Sequence, residues 1–398
     1  MKTIAIICEY NPFHRGHAAQ IAVLRDRYPD CRIVCLMSGN FTQRGEPAIL
    51  PLYDRAEMAI VCGADLVLEL PQPWASGSAE YFAAGGVQIA NRLGVIDMLA
   101  FGCETADMDL ILHTAERLDS PAFAHALAAD SAPGEGSAAR IARVWRTLYG
   151  DDGGLLSQPN NLLAVQYCLA LRRQNSSIRP LAMLRIGSGY RETALTGELP
   201  SATAVRQAIL SGTAPEELAA YLPPAAVSII RRSMDAGRAP VAPAALAQAV
   251  LSYYRMADPD ALAACASMRG GLNFRLCCAA HEAESWEAFQ SLAATKVYTN
   301  SRIRRAVLHG MLGVKEADLT AAPSCTLLLA ANANGRAILA EIRRKEGIPV
   351  VTKPADLCRF ASPRELMLRR RADALYTLAM PKGRESGTFV RCTPYFAE

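Results

Sequence analysis

The chain has 398 residues, of which 51% are hydrophobic and 20% charged, and its formal net charge is +4. This is the composition of a globular protein with ample core material rather than of a disordered chain, and the length predicts two domains. The sequence contains no apolar run of about 18 residues or more, which excludes a membrane-spanning helix of the usual kind.

Composition also bears on the cellular compartment. The first residues lead straight into a strand pattern, without the features of a signal peptide. Twelve cysteines are scattered along the chain, and several, such as Cys8, Cys35 and Cys62, lie in apolar patterns where cysteine acts as a small hydrophobe. We therefore expect a cytoplasmic protein without a disulfide framework.

The first hundred residues alternate between strand and helix patterns. Strands are predicted at 3–8, 31–38, 65–71 and 97–103, and helices at about 17–28, 52–62 and 79–93. Because the strands are apolar throughout, they predict a parallel sheet that is covered on both faces. Such sheets bind ligands at the carboxyl ends of their strands, where the strand order reverses.

The turn after the first strand carries two histidines. The apolar run stops at Glu9, and residues 14–17, His-Arg-Gly-His, open the next helix. A helix N-terminus attracts anions because its first N–H groups lack intrahelical partners, and Gly16 lets a phosphate approach the backbone. The pattern predicts a nucleotide phosphate site. Solvated turn histidines, or a metal site formed with Cys8 and Glu9, remain the alternatives.

Helical patterns dominate the rest of the chain. Helices are predicted at 106–150 with a break at 131–137, at 162–171, from Ser201 onward, from about 215 to 345 and at about 362–379, with extended segments at 180–186 and 348–352. Ser201, Thr203 and Arg206 offer hydroxyls and a guanidinium for a second phosphate site, and a plain N-cap is the alternative at Ser201. Asn160 and Asn161 could also be N-caps.

The charge is distributed unevenly between the two halves. Residues 1–215 contain 18 Lys and Arg against 21 Asp and Glu, a net charge of −3, whereas residues 216–398 contain 24 against 17, a net charge of +7. Arg302, Arg304 and Arg305 form one basic cluster there and follow Tyr298. The pattern predicts that a polyanion binds the second half, and a merely solvated basic surface is the alternative.

Several segments resemble known proteins. Residues 11–17, Asn-Pro-Phe-His-Arg-Gly-His, resemble the His-x-Gly-His signature of the nucleotidyltransferase superfamily, and residues 201–206 lie where that superfamily keeps its second phosphate motif. Further segments narrow the resemblance to the bacterial tRNA(Met) cytidine acetate ligase family. They are residues 9–14, 37–41, 43–48, 63–67, 69–71, 159–161, 185–187, 189–190, 201–203, 298–299 and 302–305.

Three positions depart from the family pattern. Leu52 precedes Tyr53 where the family commonly has a basic residue, Arg191 stands in place of a histidine, and Asn273 stands in place of a glutamate. All three are expected to concern the RNA acceptor rather than the nucleotide.

The resemblance implies an α/β fold. A Rossmann-like parallel-sheet nucleotidyltransferase domain, residues 1–215, would bind ATP, and a mainly α-helical basic domain, residues 216–398, would bind tRNA. The implied reaction joins acetate to the wobble cytidine of elongator tRNA(Met). Acetate attacks the α-phosphorus of ATP, giving acetyl-adenylate and pyrophosphate, and the cytidine amine then takes the acetyl group to form N4-acetylcytidine and AMP. Mg²⁺ is expected with ATP, without an identifiable protein ligand.

The resemblance also implies roles for individual residues. His14 and His17 would be catalytic and would donate hydrogen bonds to the phosphates. The ATP-binding residues would be Ile7, Cys8, Glu9, Tyr10, Asn11, Pro12, Phe13, His14, Arg15, Gly16, His17, Ala18, Ala19, Gln20, Gly102, Asn160, Arg185, Ser201, Thr203 and Arg206. The acceptor or acetate pocket would comprise Ser38, Asn40, Gln43 and Arg44, and tRNA would contact Arg302, Arg304 and Arg305.

Two other functions are compatible with the motifs. One is another adenylyltransferase, for example one that makes a dinucleotide cofactor, and the large basic second half argues against it. The other is a nucleotide-regulated RNA-binding protein without catalysis, and the intact His-x-Gly-His motif argues against that.

Overall fold

The computed structural model describes residues 1–130, 137–151, 154–185, 201–383 and 385–397. Its strands are β1 (Thr3–Cys8), β2 (Arg32–Ser38), β3 (Leu66–Leu70), β4 (Met98–Cys103), β5 (Arg179–Leu184), β6 (Thr326–Ala331), β7 (Val350–Val351) and β8 (Tyr395–Phe396). Its α-helices are α1 (Arg15–Arg27), α2 (Leu52–Val61), α3 (Ala79–Leu93), α4 (Met108–Leu118), α5 (Pro121–Ala129), α6 (Ser137–Tyr149), α7 (Pro159–Arg173), α8 (Ala202–Leu210), α9 (Pro224–Asp235), α10 (Ala247–Met256), α11 (Pro259–Leu262), α12 (Leu272–Glu282), α13 (Trp286–Ala293), α14 (Asn300–Leu312), α15 (Glu316–Thr320), α16 (Ala333–Arg344), α17 (Leu357–Phe360) and α18 (Pro363–Leu378).

Five strands form a parallel sheet in the order β5-β4-β1-β2-β3. The strand order reverses at β1, because β2 and β3 lie on one side of it and β4 and β5 on the other. The predicted α/β fold is confirmed, and each of the first four strands lies within a residue of its predicted bounds. Ligands of open parallel sheets bind where the strand order reverses, so we expect a binding site at the carboxyl end of β1.

Both faces of this sheet are covered. Ala5 and Ile7 of β1 pack into a core with α3, α4 and α7, whereas Ile4 and Ile6 pack into a second core with α1, α2 and α9. Successive strand residues point to opposite faces, so a sheet with two buried faces needs apolar residues at every position. This explains why the strands show no alternation of apolar and polar residues in the sequence.

The sheet continues into the second half of the chain. β6 pairs antiparallel with β3, and β7 and β8 pair with β6. The prediction of continuous helix from about 215 to 345 is therefore wrong at β6. Its sequence, Thr-Leu-Leu-Leu-Ala-Ala, is a short apolar run, and periodicity alone does not distinguish a buried strand from a buried helix in such a run. The domain boundary at residue 215 stays a prediction, although the sheet extends across it.

Most of the second half is helical, as predicted. α10, α12, α13, α14 and α18 enclose a third core around side chains such as Tyr254, Phe289 and Leu308. The predicted extended segment at 180–186 ends as strand β5 at Leu184, and residues 186–200 lie outside the described part of the chain. Within the described ranges, no helix is both long enough and apolar enough to cross a membrane.

Candidate active site

A cavity of about 510 Å³ opens at the carboxyl ends of β1, β4 and β5. The turn after β1, the N-terminus of α1 and the N-terminus of α8 enclose it, together with one face of α7. This is the point at which the strand order reverses, and the volume lies in the range of small-molecule and cofactor sites. The fold therefore provides one well-formed binding site beside the His-x-Gly-His segment.

The two histidines at the start of α1 lie against each other, with ring centroids 3.9 Å apart. Nδ1 of His14 accepts a hydrogen bond from the backbone N–H of Gly16 at 3.0 Å, and Nδ1 of His17 accepts one from the backbone N–H of His14 at 3.3 Å. A ring nitrogen that accepts a hydrogen bond carries no proton, so in the neutral rings the proton is on Nε2. Among the described residues nothing accepts a hydrogen bond from either Nε2–H, so each imidazole can donate there to a ligand.

Both imidazoles have lowered pKa values, which favours their neutral form at neutral pH. Burial, followed by the positive charges of Arg185 and Arg206, lowers the pKa of His14 to about 3. Burial, His14 and Arg185 lower the pKa of His17 well below its usual value. The cavity therefore presents two imidazole N–H donors and two arginines.

The backbone N–H groups at the start of α1 differ from the prediction made from the sequence. The first N–H groups of α1 were expected to be free, but they are hydrogen-bonded within the protein: that of Arg15 to the Tyr221 carbonyl, that of Gly16 to His14 Nδ1, and that of His17 to the His14 carbonyl. The histidine side chain forms the cap itself, so the backbone is not available to a phosphate. The donors at this helix N-terminus are the imidazoles.

The N-terminus of α8 is different. Ser201 is an N-cap, since its Oγ accepts a hydrogen bond from the N–H of Ala204 at 3.1 Å. The N–H groups of Ala202 and Thr203 have no hydrogen-bond partner among the described residues. Arg206 donates to the Asn11 carbonyl at 2.7 Å and to Thr203 Oγ1 at 3.2 Å, which joins α8 to the turn after β1. Both alternatives raised for Ser201 are thus compatible with the geometry: a cap, and a helix end open to an anion.

The metal alternative finds no support. In the described part of the chain, no three His, Cys, Asp or Glu side chains are grouped so that they could hold a metal ion. Nδ1 of both His14 and His17 is already used within the protein.

Comparison with known proteins identifies the family. The HIGH Nucleotidyl Transferase family matches residues 1–388 of the chain. The tRNA(Met) cytidine acetate ligase of Acetivibrio thermocellus is 33% identical over 415 residues, which cover 97% of this chain and 98% of that protein. The protein of the same name from Syntrophotalea carbinolica is 34% identical over 403 residues, which cover 96% of this chain and 95% of that protein. The chain belongs to the tRNA(Met) cytidine acetate ligase family.

Two solved structures of Thermotoga maritima TmcAL have the same fold. The apo form has a TM-score of 0.93 and the form bound with alpha-thio ATP has a TM-score of 0.91, each at 27% identity and each covering 100% of this chain and 99% of that chain. The nucleotidyltransferase fold implied by the sequence motifs is confirmed. The second structure shows that this fold binds an ATP analogue in the Thermotoga protein.

Most of the site residues predicted for a tRNA(Met) cytidine acetate ligase lie together. Those that line the cavity are Ile7, Cys8, Glu9, Tyr10, Asn11, His14, Gly16, His17, Ala19, Gln20, Gln43, Arg44, Gly102, Asn160, Arg185, Ser201, Thr203 and Arg206. Those that do not line it are Pro12, Phe13, Arg15, Ala18, Ser38, Asn40, Arg302, Arg304 and Arg305. The individual roles stay predictions, but the residues of the first set share one cavity.

Two residues predicted for the acceptor pocket have other contacts. Ser38 is fully buried, and its carbonyl accepts a hydrogen bond from Arg55 at 3.1 Å. Asn40 Oδ1 accepts one from the N–H of Leu52 at 3.0 Å, at the start of α2. These contacts build the loop after β2, whereas Gln43 and Arg44 of the same loop line the cavity.

The departures from the ligase family pattern fall in different places. Leu52 is buried at the start of α2, and the buried Tyr53 hydroxyl has no hydrogen-bond partner among the described residues. Asn273 is buried and donates from Nδ2 to the Pro259 carbonyl at 2.9 Å, so here it stabilises the fold. Arg191 lies outside the described residues.

Two features of the site were not predicted from the sequence, namely the apolar wall of the cavity and a buried arginine. Leu163 and Tyr167 line the cavity together with Asn160, and the i, i+3, i+7 spacing along α7 was the available signal. Arg55 is fully buried and donates to the carbonyls of Glu9, Ser38, Gly39 and Leu50, which ties the loops after β1 and β2 together. The position of Arg55 on the apolar face of α2 was the sequence feature that could have predicted its burial.

The basic cluster of the second half lies beside the loop that lines the cavity. Gly45 has a φ of 76°, and a Cβ there would lie 2.6 Å from the backbone nitrogen of Arg305, so the loop contacts the backbone of α14 directly. Arg304 pairs with Glu46 of that loop. Burial and neighbouring arginines, Arg44 among them, lower the pKa of Arg304 and of Arg305 to about 10. Positive charge is thus concentrated near the cavity.

Proposed function

We propose that the chain is an ATP-dependent ligase that joins acetate to the wobble cytidine of elongator tRNA(Met), forming N4-acetylcytidine. The observation that carries the proposal is the pair of neutral imidazoles, each with its Nε2–H left to donate, in a cavity that also contains Arg185 and Arg206. Family membership supplies the identity of the reaction. The twelve free cysteines support a cytoplasmic location.

In the first step, an acetate oxygen attacks the α-phosphorus of ATP and the bond to the β-phosphate oxygen breaks, which gives acetyl-adenylate and pyrophosphate. Negative charge on the α-phosphate oxygens increases in the transition state, and the Nε2–H groups of His14 and His17 are placed to stabilise it. Arg206, Thr203 and the open N–H groups of α8 would hold the departing pyrophosphate. Mg²⁺ would be ligated chiefly by phosphate oxygens and water.

In the second step, the N4 amine of the cytidine attacks the acetyl carbonyl and AMP leaves. The cytidine must therefore reach the same cavity from solvent. Gln43 and Arg44 lie on the loop that contacts α14, which bears the basic cluster. A tRNA whose phosphates contact Arg302, Arg304 and Arg305 would have its anticodon loop beside the adenylate.

The other two candidate functions are less well supported. A dinucleotide-forming adenylyltransferase does not account for the basic cluster near the cavity, and a non-catalytic binding protein does not account for the pair of imidazole donors in the cavity. The relatives named as ligases match over nearly the full chain, and this supports the ligase as well.

The first step can be tested without RNA. We expect wild-type protein to catalyse acetate-dependent exchange of labelled pyrophosphate into ATP, and replacement of His14 or His17 by Ala to lower the rate by about 10²–10³-fold for each donor removed. His14→Asn and His17→Asn keep a side-chain oxygen near the position of Nδ1 and remove Nε2–H, so they separate the loss of the donor from the loss of the helix cap.

The control for this test is His113→Ala, which removes an exposed histidine from α4. Circular dichroism and thermal unfolding would verify that every variant is folded. Exchange at the wild-type rate in the His14 and His17 variants would show that these imidazoles do not stabilise the transition state.

A further inference from the structure

We propose that Glu104 is a positioning residue for the nucleotide: it turns the side-chain amide of Asn160 so that the amide oxygen faces the cavity and accepts a hydrogen bond from an N–H or O–H group of the nucleoside. The inference rests on the proposed function to the extent that ATP occupies this cavity. It concerns where the nucleoside and the phosphates of ATP lie in the cavity. It also concerns how the protein discriminates ATP from nucleotides that lack the N–H or O–H group bound by Asn160.

The contacts of Glu104 fix the orientation of the amide. Its Oε1 accepts hydrogen bonds from Asn160 Nδ2 at 2.6 Å and from the Asn160 backbone N–H at 3.3 Å, and its Oε2 accepts one from the Asn161 N–H at 2.8 Å. An ionised carboxylate only accepts, so the NH₂ group of Asn160 must be the part that faces it. Asn160 lines the cavity, and its Oδ1 has no partner among the described residues.

The surroundings of Glu104 hold it in place. Asn161 is fully buried, accepts from the Thr105 N–H at 2.9 Å and donates to Gln158 Oε1 at 2.7 Å. The loop after β4 and the start of α7 are therefore joined by hydrogen bonds from both sides. Because these partners restrict Glu104, the Asn160 amide cannot turn over without breaking its shortest contact, the one from Nδ2 to Glu104.

Charge separates the two ends of the cavity. The N-terminus of α7 is occupied by the protein's own carboxylate, so it repels a phosphate group instead of attracting one. The positive charges of Arg185 and Arg206 act on His14 at the N-terminus of α1, and Arg206 and Thr203 of α8 line the same cavity. The phosphates of ATP thus belong with α1 and α8, and the nucleoside belongs with Asn160.

The test is nucleotide binding by calorimetry, which needs no acetate, RNA or turnover. Two analogues distinguish the sources of the donor: 2′,3′-dideoxy-ATP lacks the ribose hydroxyls, and purine riboside triphosphate lacks the 6-amino group of adenine. Wild-type protein should bind ATP more tightly than one of the two analogues by roughly 5- to 150-fold. The weaker analogue is the one that lacks the donor, because Asn160 Oδ1 has no partner in its complex. The analogue that loses affinity identifies the donor.

Glu104→Ala should reduce that preference to about threefold or less, since an amide that rotates freely offers either its oxygen or its NH₂. Glu104→Gln is the second variant, because it keeps the side-chain length and its own NH₂ group can turn the Asn160 amide over; the preference should fall likewise. Asp107→Ala is the matched control. Asp107 follows on the same loop and caps α4 through the Leu110 N–H, so this variant should keep the wild-type preference.

Unchanged ATP-to-analogue ratios in both Glu104 variants would overturn the proposal, as would a wild-type protein that binds ATP and both analogues equally. A role of Glu104 in folding alone would weaken the binding of all nucleotides without changing the ratios. Failure of the proposed function is a separate result, namely the absence of acetate-dependent pyrophosphate exchange in wild-type protein that still binds ATP.

Discussion

At the scale of single residues, the two histidine side chains of the His-x-Gly-His segment form the cap of α1. The imidazole nitrogens of His14 and His17 that point toward the backbone cap α1, which leaves the opposite nitrogens to donate. The turn that carries them is constrained as well: Tyr10 adopts a φ of 46°, a costly value for a residue with a Cβ, and Asn11 accepts from the Ile49 N–H at 2.8 Å. In the proposed reaction, donors fixed in this way would need little reorganisation.

The protonation state of these histidines is a testable consequence. Their lowered pKa values predict neutral rings with the proton on Nε2 in the free protein at pH 6.5 and above, and at His14 this form should persist to about pH 5. Nitrogen-15 NMR of His-labelled protein, with His14→Asn and His17→Asn for assignment, would show this tautomer directly. A charged imidazolium at either position at pH 6.5 would contradict the assignment.

The same pKa values link stability to pH. In the unfolded chain each histidine takes up a proton below about pH 6.5, whereas the folded protein resists that uptake down to about pH 3 at His14. The unfolded state therefore binds more protons than the folded state below pH 6.5. As a result, the contribution of these histidines to the free energy of unfolding is fully present above pH 6.5, and it decreases as the pH falls from 6.5 toward 3.

At the scale of elements, the sequence predicted the strands of the sheet well. It did not predict which helix N-termini have their backbone N–H groups bound by other parts of the protein. Fully apolar strands with intervening amphipathic helices are a strong local signal, and they gave the first four strands and α1, α2 and α3 closely. Whether a helix N-terminus is open depends on what the fold brings to it. α1 is capped by its own histidine and α7 by Glu104, whereas the first N–H groups of α8 have no partner among the described residues.

The sequence also did not predict that the basic cluster on α14 lies near the cavity. Gly45 and Arg305 are far apart along the chain, and only the packing of the loop after β2 against α14 brings the cluster to the cavity. β6 was missed for a related reason, because its pairing partner β3 lies in the other half of the chain.

This arrangement predicts that α14 contributes to tRNA binding. Replacing Arg302, Arg304 and Arg305 together by Ala should weaken tRNA binding and reduce the dependence of log Kd on log salt by about 0.7–0.9 for each phosphate that the arginines no longer neutralise. Acetate-dependent pyrophosphate exchange should persist, since none of the three lines the cavity. Filter binding over a range of salt concentrations measures the affinity and its salt dependence.

The matched control removes an equal charge elsewhere. Arg343, Arg344 and Lys345 are exposed at the end of α16. Glu341, near the same end of that helix, pairs with Arg32 at the amino end of β2, so the control cluster lies on the side of the sheet away from the cavity. Its triple Ala variant should keep the wild-type slope. Equal slopes for the two triple variants would place the RNA on another surface.

At the scale of the whole molecule, a buried ion cluster joins the two halves. Arg369 of α18 pairs with Glu69 of β3 and with Glu365, and it donates to the Cys325 carbonyl at 3.2 Å. All three charged side chains are buried. Because β6 also pairs with β3 at this place, the first and second halves share both a sheet and a charge network.

Removing the cation should therefore destabilise the protein. Arg369→Met leaves two buried carboxylates without their partner, and we expect the free energy of unfolding to fall by about 3–5 kcal/mol. Arg370→Met, at the exposed neighbouring position, should change it by less than about 0.5 kcal/mol. Urea unfolding followed by circular dichroism measures both values, and equal stabilities of the two variants would show that the cluster contributes little.

In the proposed reaction, the protein makes an activated acetyl group at its own nucleotide site and transfers it to RNA. The most direct measurement is nucleoside analysis of elongator tRNA(Met) after incubation with purified protein and either ATP plus labelled acetate or acetyl-CoA alone. We expect N4-acetylcytidine at the wobble position only with ATP and acetate, with one AMP formed for each acetyl group transferred. Acetylation from acetyl-CoA without ATP, or an RNA product that carries adenylate instead of acetate, would contradict it.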